Sequence, residues 1–378
     1  MIPRERFRKA INHQEPDRVP IDIGSDLHNG IHEIAYRNLL KYLGEQDSIT
    51  IYDFMQHLAL VKESVLQRLN TDTRYLFAAP AESYKRVVEP DSSWADEWGV
   101  IRKNVGLYDE SVKAPLANCT SESIRNYKLP DPKDKGRFIG LREKAKKMYE
   151  ETDYALIGGN AASLFFLTSE IVGYQEYMEK ILLETKMLEE LIDKVLEYQI
   201  GFFDSYLDEI GDYIEMVWMG DDWGTQIAPL MSPSLFRDVY IPRYKQFTGF
   251  IKKKCDVKIA LHACGAVSWA LEDFAKAGID IVHPMQGDAA GMGDPFLLKK
   301  EFGKDLAFYS NLRNQSVIPY GTAEEVRNEV KLKIEALAPG GGYIMSGGHN
   351  FQADVPPQNI LAMADATLEF GRYPINVL

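Results

Sequence analysis

Eight apolar stretches of strand length, separated by segments long enough to hold amphipathic helices, limit most strongly how this chain can fold. They read RVPIDIG at 18–24, RYLFAA at 74–79, YALIGG at 154–159, IEMVWMG at 214–220, VKIALHA at 257–263, IDIVHP at 279–284, LAFYSN at 306–311 and GGYIMSG at 341–347. Several lack the polar–apolar alternation of a half-exposed sheet. That is the pattern of strands buried on both faces. Such strands alternating with helices predict a parallel sheet, and eight of them predict an α/β fold of the (β/α)8 TIM-barrel type. One large barrel accommodates residues 1–378 as a single domain.

The intervening segments carry helix signals. Ser232 and Pro233 suit the N-cap and first turn of a helix running to Lys252, Lys253 and Lys254, whose charges suit its C-terminal dipole. Thr322 followed by two glutamates opens another helix, which stops before Pro339, and Pro356-Pro357 opens a last one. One segment breaks the rhythm. Residues 84–105 alternate in polarity around Pro90-Asp91-Ser92 and predict a β-hairpin excursion after the second strand, and the stretch 112–152 has a helical character.

Composition narrows the function. A formal net charge of −13 argues against nucleic acid, whose phosphates need a basic surface. No apolar run approaches the length of a membrane span, and the first residues lack the apolar region of a signal peptide. Three widely spaced cysteines do not form a disulfide framework. A cytoplasmic protein without a membrane or nucleic-acid partner is expected. The glycine pairs and runs at 158–159 and 340–342 lack phosphate-loop spacing.

In a (β/α)8 barrel the active site forms at the C-terminal ends of the strands. The residues expected there are Asp22, Ser25, Asp26, His28 and His32 after the first run and Asn160 after the third. Asp221, Asp222 and Trp223 follow the fourth, His262 and Cys264 the fifth, and His283 and Gln286 the sixth. Ser310, Asn311 and Arg313 follow the seventh, and Ser346, His349 and Asn350 the eighth. His57 falls in an expected helix.

His262 and Cys264 stand two residues apart, so in extended backbone they point to one side. Imidazole nitrogen and thiolate are preferred zinc ligands. A third ligand has to come from elsewhere, and His349, Asp221 and Asp222 are the candidates. The adjacent acids Asp221 and Asp222 are also candidate proton donors or substrate anchors. Trp218, Trp223, Phe165 and Phe166 are candidates for an aromatic pocket, with the hydrophobic core as their more ordinary place. Cys119 and Cys255 are expected to be bystanders.

PRERFRKAINHQEPDRVPIDIG, GDDWGTQ, SPSLFRDVYIPRYK, LHACGAV and GGYIMSGGHNFQADVPPQNILAMADA resemble the uroporphyrinogen decarboxylase superfamily over nearly the whole chain. The resemblance implies a (β/α)8 barrel and one of two activities. True decarboxylases carry an arginine-rich motif near the N-terminus, of the form MRQAGR, that holds the substrate carboxylates. The matching stretch here, IDIGSDLHNGIHE, has no arginine. The methyltransferase branch carries an H-x-C pair of zinc ligands and a cysteine near the C-terminus. His262 and Cys264 match the pair, while the place of the C-terminal cysteine holds His349, a departure from the pattern. Decarboxylases also keep a histidine in that region.

GDDWGTQ and DEWGV are most similar to the subgroup associated with anaerobic O-demethylation. The resemblance therefore implies a zinc-dependent methyltransferase. It would move a methyl group between a small, methoxylated compound and the cobalt of a corrinoid (cobalamin) protein that binds transiently. On this reading His262, Cys264 and His349 hold zinc, Asp221 and Asp222 are catalytic, and Trp223, Asn160, Phe165 and Asn311 bind substrate. The rivals are a metal-free porphyrinogen decarboxylase and a barrel retained as a non-catalytic subunit.

Overall fold

A computed structural model describes residues 1–24, 26–46 and 48–375, so Ser25 lies outside the described residues. The described strands are β1 (Ile51–Asp53), β2 (Leu58–Ala59), β3 (Thr73–Leu76), β4 (Ser93–Ala95), β5 (Ile101–Asn104), β6 (Asp109–Lys113), β7 (Ala155–Ala162), β8 (Met216–Gly220), β9 (Lys258–His262), β10 (Ile281–His283), β11 (Ala307–Tyr309) and β12 (Tyr343–Ile344). Seven of them form one parallel sheet in the order β12-β11-β10-β9-β8-β7-β3.

The first predicted strand departs from this regularity. Residues 18–24 form only isolated bridges, because Pro20 has no N–H to give to a ladder. The segment nevertheless occupies the eighth place. Asp22 N–H donates to Met345 O at 2.9 Å on one side, and Asp72 N–H donates to Ile21 O at 2.8 Å on the other. The sheet thus curls into an α/β barrel of the TIM type.

Alternate residues of each strand serve two cores. Tyr75, Ile157, Met216, Trp218, Ala260, Ile281, Tyr309 and Ile344 fill the interior with Phe7 and Ile11 from helix Pro3–Ile11. Val217, Met219, Ile259, Leu261, Val282 and Phe308 face the surrounding helices. Burial on both faces explains the near-continuous apolar runs. Inside the barrel, the buried Asp22 carboxylate accepts from Thr73 Oγ1 at 2.5 Å, Tyr75 OH at 2.6 Å and Tyr309 OH at 2.9 Å.

Four expectations about elements need correction. The hairpin at 84–105 is part of a three-stranded antiparallel sheet, β4-β5-β6, whose third strand, Asp109–Lys113, runs only into the first two residues of the stretch expected to be helical. The rest of that stretch holds only the short helices Ser121–Asn126 and Lys135–Phe138 before helix Leu141–Glu151. His57 is not helical. It sits at φ 51° in the turn between β1 and β2, with Nδ1 3.2 Å from Glu33 Oε1 and Nε2 2.9 Å from Asp109 Oδ1, and so ties the appended sheet to the barrel. The segment after Ser232 is two helices, Pro233–Val239 and Ile241–Lys254, because Pro242 cannot continue the hydrogen-bond ladder. Among the described residues, no helix is long and apolar enough to cross a membrane.

Candidate metal centre

β9 delivers His262 to the C-terminal end of the barrel, and Cys264 follows in the loop. The loop is held by Asp222, whose Oδ1 accepts the Cys264 N–H at 2.8 Å, and by Gln286, whose Oε1 accepts the Gly265 N–H at 2.8 Å. His349 arrives from the opposite side, in the turn after β12 that follows Gly348 at φ 79°. The potential ligand atoms of His262, Cys264 and His349 all lie within 4.8 Å of one another. Cys264 Sγ is 3.2 Å from His262 Nε2, and Asp222 Oδ1 is 3.7 Å from the same nitrogen.

A hydrogen-bond chain sets the tautomer of His262. β9 and β10 are in register at His262 and His283, and the two Nδ1 atoms are 2.8 Å apart. His283 Nε2 lies 2.8 Å from Asn29 Oδ1, which can only accept. His283 therefore carries its proton on Nε2 and presents a bare Nδ1. His262 donates to that atom from its own Nδ1, which leaves the Nε2 lone pair turned toward Cys264 and His349. Metal-binding histidines are typically oriented in this way, through the nitrogen that does not bind.

Burial tunes the same groups. It holds His262 and His283 well below the usual imidazole range, with neighbouring imidazoles adding to the effect, and lowers His349. His28, stacked on Trp218 at 4.4 Å and 4.7 Å from the His262 ring, is brought down to about 3 by burial. Burial and then Asp222 push the Cys264 thiol well above its ordinary value. The imidazoles thus keep their lone pairs, and the thiol keeps its proton until a cation favours the thiolate. Two neutral imidazoles, one sulfur and a nearby carboxylate make a donor set that fits zinc.

The other expected site residues lie elsewhere. Asp221 is buried and accepts from Ser163 Oγ at 2.8 Å, Leu164 N–H at 3.0 Å, Phe166 N–H at 2.9 Å and Tyr244 OH at 2.8 Å. It anchors the start of helix Phe165–Val172 and is not brought to the cluster, unlike its neighbour Asp222. Trp223 is fully buried, gives its N–H to Tyr244 OH and packs on Phe165, Phe236 and Tyr240. Trp223 and Phe165 are core, whereas the exposed Phe166 lines a neighbouring cleft. Asn160 accepts the Ala78 N–H at 2.8 Å and so joins the ends of β7 and β3. Asn311, at φ 119°, gives its amide hydrogens to Met285 O and Met292 O and is fully buried.

Cys264 and His349 open onto a cleft of about 400 Å³. Its wall is rich in carboxamides, from Gln56, Gln226, Gln286, Asn314, Gln315, Asn350 and Gln352, with Tyr108, Ile318, Phe351 and Val355 between them. Tyr108 OH bonds Gln352 Oε1, so the appended sheet reaches the loop after β12. Among the described residues lining this cleft, none is Lys or Arg. Most of these amides were not legible as site residues, because they come from separate loops with no shared spacing. His283 did leave a signal, since it closes its strand as His262 closes the one before.

Comparison with known proteins agrees with this architecture. A methyltransferase from Methanosarcina mazei superposes with a TM-score of 0.70 at 18% identity, covering 98% of this chain and 99% of its own. A uroporphyrinogen decarboxylase from Psychromonas ingrahamii is 21% identical over 98% of both chains. Another, from Alkalilimnicola ehrlichii, is 23% identical over 65% of this chain and 66% of its own length. Residues 109–370, more than half the chain, match the family model for uroporphyrinogen decarboxylase (URO-D). With its barrel and its strand-end site, the chain belongs to the uroporphyrinogen decarboxylase (URO-D) family, whose named members are enzymes.

Proposed function

We propose that this protein is a zinc-dependent methyltransferase that moves a methyl group between a small methylated substrate, such as a methoxylated compound, and the cobalt of a corrinoid protein. The observation that carries the reading is the convergence of His262, Cys264 and His349 beside an open cleft. Bound there, zinc supplies Lewis acidity that stabilises negative charge on a substrate oxygen or thiol. The chain's own residues do the rest. His262, Cys264 and His349 hold the ion, and His283 with Asn29 fixes the His262 ring. Asp222 positions Cys264 through its N–H and stands close enough to orient substrate or pass a proton to a leaving oxygen. The cleft stays open at the mouth, where a corrinoid protein could bind transiently, and the cytoplasm is the expected compartment.

The relatives' names favour porphyrinogen decarboxylation as the second reading. That substrate is rich in carboxylates, and a cleft without lysine or arginine would leave them unpaired at high cost. Elemental analysis of the purified protein decides between the readings. About one zinc per chain, lost in Cys264→Ala and in His262→Ala while the fold persists, is the expected result. Protein that neither contains nor takes up metal would remove the methyltransferase reading.

A further inference from the structure

We propose that His57 sets the wall of the candidate cleft from outside it. While its ring carries both protons it pins Gln56 and Tyr108 in place, and as pH rises it releases them. The inference concerns the shape of the cleft and holds whichever chemistry the cluster performs.

Gln56 and Tyr108 are the two described residues that line both clefts at the barrel mouth. Each sits next in the chain to one half of an ion pair. Gln56 precedes His57 in the turn between β1 and β2, and Tyr108 precedes Asp109 at the start of β6. His57 Nε2 stands 2.9 Å from Asp109 Oδ1. The same two segments share a backbone bond, from the Asp109 N–H to Met55 O at 2.9 Å. On the far side, Gln56 Oε1 accepts from Asn350 Nδ2 at 2.7 Å and Tyr108 OH bonds Gln352, so both reach the loop that carries His349.

Protons decide whether this latch holds. The other ring nitrogen of His57, Nδ1, is 3.2 Å from Glu33 Oε1. A carboxylate only accepts, and a neutral imidazole has one N–H. Donating to both acids therefore requires the imidazolium. When one proton leaves, a bare nitrogen faces a carboxylate, which is repulsive. A second arrangement is at hand. Asn104 Nδ2 lies 3.3 Å from His57 Nε2, and its amide is oriented by the Gly106 N–H, which donates to Asn104 Oδ1 at 3.1 Å. Asn104 now donates to Asp109 Oδ1 at 3.0 Å, and it can turn that hydrogen to the bare ring nitrogen as Asp109 moves off. The latch thus has two states selected by one proton. By linkage, docking strengthens as pH falls and weakens as pH rises.

The groups around the latch play other parts. His32, 6.2 Å from the His57 ring, accepts the Ile34 N–H on Nδ1 and donates from Nε2 to Leu107 O, which one proton satisfies. Burial pushes Asp109 up, but bonds from His57, Trp94 and Asn104 outweigh it and hold the carboxyl below its usual range. The other charges facing the latch are Asp53 on β1, which burial raises against the Gln56 N–H and Arg102, Arg37 at 3.6 Å from Glu33, and Arg86 at 3.9 Å from Asp109.

The test is hydrogen exchange read by mass spectrometry on the full chain at about pH 5.5 and about pH 8, the range in which imidazoles change charge. Rates are corrected for the intrinsic effect of pH and compared between residues 104–111 and β8, which reports global opening. The unmodified protein is expected to lose protection at 104–111, relative to β8, by at least about tenfold at the higher pH, the worth of one charge-assisted hydrogen bond. His57→Gln is expected to abolish the dependence. Asp109→Asn, whose amide can donate to a neutral ring, is expected to keep the protection at the higher pH. Equal protection at both pH values in the unmodified protein overturns the proposal, and so does an undiminished dependence in either variant. Metal content is measured on the same samples. Zinc-free protein that shows the switch removes methyl transfer alone, and zinc-loaded protein without the switch removes this inference alone.

Discussion

His283 is absent from the ligand cluster, yet it decides which nitrogen of His262 is free to bind. Replacing it with leucine should weaken zinc binding by about 10–100-fold, the usual cost of losing such a partner. Competition against a chromophoric chelator measures the loss, and unchanged affinity would mean that the chain from Asn29 does not orient the ligand. The neighbours Asp221 and Asp222 make a sharper contrast. Asp221→Ala removes a buried acceptor of four hydrogen bonds and should cost about 2–4 kcal/mol of stability while zinc is retained. Asp222→Ala should cost little stability and weaken zinc binding; chemical denaturation and metal analysis of both variants separate the two roles. The sequence could not tell these acids apart. Both follow an apolar strand, and which one turns inward depends on the last residue of β8 and on helix Phe165–Val172 packing across it.

Elements with strong local signals were legible. Helix Ala323–Leu337 opens at Thr322 as expected, with Thr322 and Glu325 forming a reciprocal cap, and Ser232 accepts the Leu235 N–H. Thr322→Ala should therefore lower stability by about 1 kcal/mol, read as a shift in the denaturation midpoint. Elements defined by distant partners were hidden. β6, Asp109–Lys113, is a polar segment on an appended sheet, so no buried face imposes alternation on it. His57 looked helical by its neighbours, but Glu33 and Asp109 hold it in a turn from elements far along the chain. The H-x-C pair stood out because two candidate ligands share one strand end. His349 emerged from its place in a family pattern, and the carboxamides of the cleft had no such guide.

At the scale of the whole molecule, the barrel encloses two carboxylates. Burial holds Asp22 and Asp26 above the ordinary carboxylate range, to about 7, and Asp26 also raises Asp22. In the unfolded chain both would release their protons near pH 4. The folded state therefore binds more protons between about pH 4 and 7, and stability falls as pH rises through that window. Each retained proton contributes a slope of up to about 1.4 kcal/mol per pH unit. Asp22→Asn should flatten the decline of melting temperature from pH 5 to 8, and an unchanged profile would remove Asp22 as its source.

Asp22 also lies on the irregular segment 18–24, which joins β3 to β12 by a few bonds around Pro20. The barrel therefore has a seam. His262 and Cys264 stand on the continuous part of the wall, while His349 and the second-partner residue Asn29 follow the two staves that meet at the seam. An ion held by this set would act as a clasp across the last join to close. Metal loading should then slow hydrogen exchange at Asp22, Asp72 and Met345 more than in the middle of β8 and β9. An ion bound there would thus also report that the ring is shut.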